Sequence, residues 1–290
     1  MSLVVALLLG IVQGVFMFIP VSSTAHLVLT QHFLLSRGYD LPPPNSAEMI
    51  LLDLVLHVGT LVSIVIVFHK SLFHFLGDLL VSSKNVMQSK ALSPLPLSIR
   101  LFLLGMLSVF VTGVMGLTMK TGFELVFGSP FAVGFTLCLT GILLWWTDVL
   151  SRRKLGLKQM KIWHALAIGG AQGLALMPGL SRSGITIVTA LVCGMKRRWA
   201  AEYSFFIAIP TIMAATLLQG VEVFMDEFPS MLGWEVYFTG FVSAAIVGTF
   251  ALHLVLKLLY AARLKIFSYY LWLLALLVWF GLMPITSAVH

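Results

Sequence analysis

The chain has 290 residues, of which 59% are hydrophobic and only 10% are charged, and its mean hydropathy is +1.02. Because soluble domains carry roughly 25% charged residues, this composition excludes a soluble globular protein and indicates an integral membrane protein with several spans. The formal net charge of +7 is spread over short loops, which argues against nucleic acid as a partner and favours basic loops on the cytoplasmic side. The two cysteines, Cys138 and Cys193, provide neither a disulfide framework nor metal-ligand spacing.

In chain order, the first element is the stretch 1–36, which is apolar apart from a polar break over residues 20–26. A second interrupted stretch, 162–198, follows the basic loop 152–161. Crossing a bilayer takes about 17–25 apolar residues, and six stretches meet this length: 50–68, 101–118, 130–147, 203–220, 236–256 and 267–284. The stretch 71–82 is apolar but too short to span, which favours an interfacial helix.

If the basic loops are cytoplasmic, the stretches 1–36 and 162–198 each start and finish on one side of the membrane. Each holds two short apolar runs separated by a proline and a hydroxyl cluster, a pattern typical of a re-entrant helical hairpin. Each hairpin precedes three spans, and the two halves have opposite orientation. The sequence therefore predicts an all-α polytopic fold in one domain, 1–290, with an inverted-topology repeat of about 1–150 and about 160–290.

The first polar break reads Pro-Val-Ser-Ser-Thr-Ala-His over residues 20–26. A proline in the first turn, with Ser22, Ser23 or Thr24 as N-cap, predicts a helix that begins here. Two interpretations stay open. In one, this is a capped half-helix in which His26 makes a single internal hydrogen bond. In the other, the hydroxyls and free N–H groups hold an anion, and His26 acts as general acid, base or nucleophile.

The second polar break reads Pro-Gly-Leu-Ser-Arg-Ser-Gly over residues 178–184. Gly179 and Gly184 allow the backbone to turn and to approach a ligand closely. Arg182 offers a planar fork that suits phosphate oxygens. Two hydroxyls flank it, those of Ser181 and Ser183. Since an ion pair needs neither these glycines nor these serines, the pattern favours a bound anionic ligand.

Acidic residues offer Arg182 an alternative role, because an unpaired arginine at membrane depth costs about 2.5–3.5 kcal/mol. Glu202 stands at the start of the span after the second hairpin and could pair with it. Asp53 and His57 lie one turn apart on the same face of the first span. For each of the three residues alone, we expect a structural role in a pair with another polar side chain. Together, the three are expected to line one cavity.

At these two motifs the chain resembles the undecaprenyl-diphosphatase family, the bacitracin-resistance membrane phosphatases. The similarity extends over essentially the whole chain and is densest at 20–26, at 52–68 and from Gln172 to Pro210. It implies a multi-pass enzyme of the bacterial cytoplasmic membrane with two re-entrant hairpins around a central cavity. Such an enzyme removes the terminal phosphate of a C55 polyprenyl diphosphate and so recycles the lipid carrier of cell-wall synthesis.

The resemblance also implies roles for single residues. Ser23 matches a serine proposed as nucleophile or phosphate ligand, His26 matches the family histidine, and Arg182 matches the arginine that grips the diphosphate. The residues expected to bind substrate are Gln13, Ser22, Thr24, Gly179, Ser181, Ser183 and Gly184. Met17 stands where the family carries a glutamate credited with catalysis or with binding Mg²⁺ or Ca²⁺. A thioether is a poor ligand for these oxygen-seeking cations, so Met17 argues against the cofactor and leaves the metal ligands unassigned.

Two functions therefore stay open. The first is a polyprenyl-diphosphate phosphatase. The second is a member that binds or flips polyprenyl phosphate as a transporter without hydrolysis, which the inverted repeat fits equally well. The lipid substrate and the bilayer are the expected partners, and a homodimer is left open.

Overall fold

The computed structural model describes residues 1–44, 46–89, 95–119, 130–150, 153–177, 179–226 and 232–280. Over these residues the chain is all-helical, with ten α-helices, one 3-10 turn at Leu157–Gln159 and no β-strand. The α-helices are α1 (Leu3–Phe18), α2 (Ser23–Ser36), α3 (Ala47–Ser89), α4 (Leu97–Thr118), α5 (Pro130–Val149), α6 (Ile162–Leu174), α7 (Arg182–Val192), α8 (Arg197–Asp226), α9 (Trp234–Tyr260) and α10 (Lys265–Trp279).

Five of the described helices, α3, α4, α5, α8 and α9, are long and apolar enough to cross a membrane. Each contains one of the first five predicted spans or nearly all of it, which confirms a helical multi-pass membrane protein. The sixth predicted span, 267–284, overlaps α10, which has 15 residues. Its last part, 281–284, lies outside the described residues, so the count of six stays a prediction.

Helix α3 is longer than the sequence predicted, because residues 71–82 continue it instead of forming a separate interfacial helix. The prediction of a separate helix was wrong. This stretch contains no proline and only one glycine, Gly77, so nothing in it interrupts the backbone hydrogen bonds. With 43 residues, α3 is about 65 Å long, roughly twice the hydrocarbon thickness of a bilayer.

Both predicted breaks are present between short helices. Helix α1 ends at Phe18, shortly before Pro20, and α2 begins at Ser23. Helix α6 ends at Leu174, and α7 begins at Arg182. The ends of the two breaks therefore carry the hydroxyl groups and the arginine that the sequence singled out.

Close helix crossings hold the two breaks against the rest of the molecule. Helix α1 packs on α9, where a Cβ on Gly14 would lie 2.8 Å from the Gly248 nitrogen and 2.9 Å from the Ala244 oxygen. Helix α6 packs on α4 in the same way, where a Cβ on Gly169 would lie 2.7 Å from the Cα of Ser108. Only glycine allows these approaches. The first helix of each half thus packs against the fourth helix of the other half, and α5 packs against α10.

Candidate active site

A cavity of about 200 Å³ lies where the two breaks meet. Its walls come from the end of α1, the start of α2, the start of α7 and the facing sides of α3, α6 and α8. The predicted site residues that line it are Ser22, Ser23, Thr24, His57, Ser181, Arg182 and Ser183. The fold therefore brings both hydroxyl clusters and the arginine to one cavity.

The second break forms the start of α7. Ser181 is the N-cap, and its Oγ accepts the N–H of Gly184 at 3.2 Å. The Oγ of Ser183 lies 3.4 Å from the Ser181 Oγ, so the two hydroxyls flank Arg182 as one group. Gly179 has φ +82°, a conformation that favours glycine, and a Cβ there would overlap the Thr136 hydroxyl. The first N–H groups of a helix lack intrahelical partners, so the N-terminus of α7 suits an anion.

The thioether of Met17 lies at the centre of a cluster of hydrogen-bond donors. Gln13 Nε2 lies 3.7 Å from the sulfur, Ser23 Oγ lies 3.9 Å from it, and Arg182 Nη2 lies 3.6 Å from it. Sulfur is a weak acceptor, so these contacts satisfy the donors poorly. A phosphate oxygen would accept from the same three groups much more strongly.

Arg182 makes no ion pair within the part of the chain that the structure describes. The predicted alternative partner, Glu202, binds Arg198 instead, with 2.9 Å between Oε1 and Nε. These two residues are one turn apart on α8, so the local pair forms without any long-range contact. The guanidinium of Arg182 lines the cavity, and no described carboxylate forms an ion pair with it.

The expectation that Asp53, His57 and Glu202 line one cavity was wrong. Only His57 lines it. Asp53 accepts hydrogen bonds from Gln31 Nε2 at 3.1 and 3.2 Å, which draws its carboxylate toward α2. Glu202 lies nine residues before the cavity residue Thr211, about 13 Å away along α8.

The predicted catalytic histidine, His26, is buried but is not among the residues that line the cavity. Its Nδ1 lies 2.7 Å from the Ser22 carbonyl oxygen, and its Nε2 lies 2.6 Å from the hydroxyl of Tyr270 on α10. Its ring stacks on Phe16 with 4.0 Å between the centroids. The imidazole inside the cavity is that of His57, whose Nδ1 lies 2.8 Å from the Asp53 carbonyl oxygen.

Two buried glutamines repeat in the two halves. Gln13 is fully buried on α1 and reaches Met17, whereas Gln172 on α6 lines the cavity and donates to Thr112 and Thr211 at 3.0 and 2.9 Å. The side-chain carbonyl oxygens of both glutamines have no hydrogen-bond partner among the residues that the structure describes. Gln172 was not predicted as a site residue, although the shared Gln-Gly pair at the end of α1 and α6 could have indicated it.

The residues of this cavity do not fit a divalent cation such as Mg²⁺ or Ca²⁺. Among its described lining residues there is no aspartate or glutamate, and the donors are hydroxyls, amides, one imidazole and the Met17 thioether. Both cations take oxygen ligands and are bound mainly by carboxylates in proteins. The described residues also contain no cluster of three or more His, Cys, Asp or Glu that could hold a metal ion.

Comparison with known proteins identifies the family. The family described as "Bacitracin resistance protein BacA" matches residues 6–277. An "Undecaprenyl-diphosphatase" of Alkalilimnicola ehrlichii is 58% identical over 288 residues, which cover 99% of both chains. One of Halorhodospira halophila is 56% identical over 281 residues, covering 97% of this chain and 98% of the relative. One of Carboxydothermus hydrogenoformans is 33% identical over 93% of both chains. The chain, with its two facing helix breaks and its cavity arginine, belongs to the bacitracin resistance protein BacA family.

Proposed function

We propose that this protein is a membrane phosphatase that hydrolyses undecaprenyl diphosphate to undecaprenyl phosphate and inorganic phosphate. The observation that carries the proposal is Arg182, a cavity guanidinium with no carboxylate partner among the described residues. It lies between two hydroxyls at a helix N-terminus, an arrangement suited to a diphosphate. The full-length similarity to proteins named undecaprenyl-diphosphatase supplies the substrate. The product is the lipid carrier of cell-wall synthesis, and the enzyme acts in the bacterial cytoplasmic membrane.

The diphosphate binds between the two breaks. Arg182, Ser181 and Ser183 hold the phosphoryl oxygens from α7, while Ser23 and Thr24 hold the terminal phosphoryl group from α2. Most catalysis of phosphoryl transfer comes from such positioning and charge neutralisation. The apolar cavity wall supports an exit for the isoprenoid tail toward the lipid, and it includes Leu54, Leu176 and Ile212.

We assign His57 as the general base that takes a proton from the attacking water. A carbonyl oxygen only accepts hydrogen bonds, so the contact with the Asp53 carbonyl places a proton on Nδ1 of His57. In the neutral ring this leaves Nε2 unprotonated and able to take the proton of water. The water oxygen then bonds to the terminal phosphorus, the bond from that phosphorus to the bridging oxygen breaks, and its electron pair leaves with undecaprenyl phosphate.

The inverted-topology repeat is the architecture that we propose around this site. It is supported by the exchange of packing partners, in which α1 contacts α9 and α6 contacts α4. Because each break lies between helices too short to span a bilayer, both pairs fit re-entrant hairpins whose non-helical backbone lines a polar cavity. The first hairpin enters the membrane from outside the cell, and the second enters it from the cytoplasm.

Phosphate release from a polyprenyl diphosphate by the purified protein tests this function. We expect wild type to release phosphate in EDTA as well as in Mg²⁺ or Ca²⁺, because the described residues that line the cavity include no aspartate or glutamate. Arg182→Ala should release phosphate about 10²–10³-fold more slowly, since one charge-stabilising donor at a reacting centre is lost. Arg263→Ala removes an exposed arginine from the turn before α10 and should leave the rate unchanged.

Two results would contradict the proposal. Binding of polyprenyl phosphate without any release by wild type would favour the transporter alternative. Complete loss of activity in EDTA would show that the reaction requires a cation although no described cavity residue is an aspartate or glutamate.

The variant Met17→Glu tests the role of the cation. Its new carboxylate would face Gln13, Ser23 and Arg182, so this variant alone should acquire a response to Ca²⁺.

A further inference from the structure

His26 is a buried titratable residue that the proposed reaction does not use. It lies at the start of α2 with 7% of its surface exposed, next to the hydroxyls that face the cavity. Phe16 stacks on one side of its ring, and Tyr270 approaches at 5.7 Å between centroids on a nearly parallel plane. Both ring nitrogens are engaged, one with the Ser22 carbonyl and one with the Tyr270 hydroxyl.

These contacts fix the protons of the neutral ring. The Ser22 carbonyl oxygen can only accept, so Nδ1 carries the proton and donates it over 2.7 Å. Nε2 is then the unprotonated nitrogen, and it accepts the hydroxyl proton of Tyr270 over 2.6 Å. With both nitrogens bonded in this way, His26 has neither a proton to give nor a free lone pair to accept one from the cavity.

The group that His26 holds is strained. Ser22 has φ +71° and ψ 92°, a left-handed conformation that is uncommon for a residue other than glycine, and its side chain makes no capping hydrogen bond. Such a conformation persists only where the surroundings fix it. The carbonyl of Ser22 is the group that His26 Nδ1 binds, and Ser23 and Thr24, which line the cavity, follow directly.

We infer that Tyr270 is a positioning residue of the reaction, which acts through His26 on the backbone of Ser22 and so aims the hydroxyls of Ser23 and Thr24 into the cavity. This inference rests on the proposed function and adds a residue from α10 to it. Tyr270 is partly exposed at 40%, yet its hydroxyl reaches across 244 residues of sequence to a buried ring. A partly exposed tyrosine of α10 thereby fixes the backbone at the break of the first hairpin.

Tyr270→Phe is the test, because it removes the hydroxyl and keeps the ring that stacks on His26. The matched control is Tyr269→Phe, which removes the hydroxyl of the neighbouring exposed tyrosine on the same helix. We expect Tyr270→Phe to lower kcat about five- to tenfold, which corresponds to the loss of one net hydrogen bond. KM should change much less than kcat, because Arg182 and its flanking serines still bind the diphosphate. Because a loss of folded protein would also lower the apparent kcat at constant KM, the rate of each variant is divided by its concentration of folded protein.

A second readout needs no activity. In protein labelled with ¹⁵N-histidine, the unprotonated Nε2 of His26 gives a resonance that His26→Gln assigns by its disappearance. This resonance should shift in Tyr270→Phe, where the hydrogen bond is gone, and should stay in place in Tyr269→Phe. Equal kcat in the two phenylalanine variants of an active enzyme overturns the inference. So does a doubly protonated His26, or an Nε2 resonance that Tyr270→Phe leaves unmoved. If wild type releases no phosphate, the proposed function fails, while the resonance still decides whether Tyr270 holds His26.

Discussion

At the scale of single residues, the cavity combines one strong positive charge with weak neutral acceptors. Arg182 contacts the sulfur of Met17 at 3.6 Å, and Glu202, the partner that the sequence offered for it, is bound to Arg198. In the proposed function, the substrate is the group that supplies the missing negative charge. Under that proposal, the guanidinium neutralises the diphosphate in place of a cation held by carboxylates.

The assignment of His57 as the base gives a residue-scale prediction. We expect His57→Gln to lower phosphate release about 10²–10⁴-fold, the usual effect of losing a general base. His253→Gln is the matched control, since His253 also has its Nδ1 2.8 Å from the carbonyl oxygen one turn earlier but is exposed on α9. The measurement is the initial rate at saturating substrate. A rate in His57→Gln that equals that of His253→Gln would remove His57 from the mechanism.

At the scale of helices, the two breaks use different means to leave the helical conformation. The first break relies on Pro20 and on the strained Ser22, whereas the second relies on Gly179 with φ +82°. Both then start a new helix with a residue whose side chain faces the cavity, Ser23 in α2 and Arg182 in α7. The breaks thus place two helix N-termini, with their unpaired N–H groups, around one cavity.

Gly179 provides the prediction at this scale. In Gly179→Ala the new Cβ would overlap the Thr136 hydroxyl in a conformation that alanine disfavours. We expect the free energy of unfolding to fall by roughly 1–3 kcal/mol. Gly113→Ala is the control, because Gly113 lies inside α4 with no atom within 4 Å of the added Cβ, and alanine favours a helix interior. Thermal unfolding in detergent measures both. Equal stability of the two variants would show that the turn at Gly179 tolerates a side chain.

At the scale of the whole molecule, each half packs its first helix against the fourth helix of the other half. Helix α1 needs α9 to bury its glycine face, and α6 needs α4, so neither half completes its own site. Because of this packing between the halves, the cavity is lined by helices of both, namely α1, α2, α3, α6, α7 and α8. A polar site at the interface of two repeats is the arrangement expected of membrane proteins with inverted topology.

Orientation in the membrane can be tested by cysteine labelling. In a variant without Cys138 and Cys193, a cysteine at Gly38 should react with an impermeant thiol reagent in intact cells. Cysteines at Lys154 and Arg263 should react only after the membrane is opened, because the basic loops face the cytoplasm. Reaction at Lys154 but not at Gly38 in intact cells would reverse the orientation of the whole molecule, and reaction at both would contradict the inverted repeat.

The sequence by itself determined the helical membrane class, five of the six segments predicted as spans, the positions of both breaks and most of the hydroxyls around Arg182. These follow from hydropathy, prolines and glycines, whose effects are local along the chain. Tertiary structure alone decided which side chains meet. It placed His57 in the cavity and His26 outside it, against Tyr270, because that contact joins residues 244 positions apart in sequence. It also placed Asp53 and Glu202 outside the cavity. The Asp53 carboxylate accepts a hydrogen bond from Gln31, and the Glu202 carboxylate pairs with Arg198 within α8.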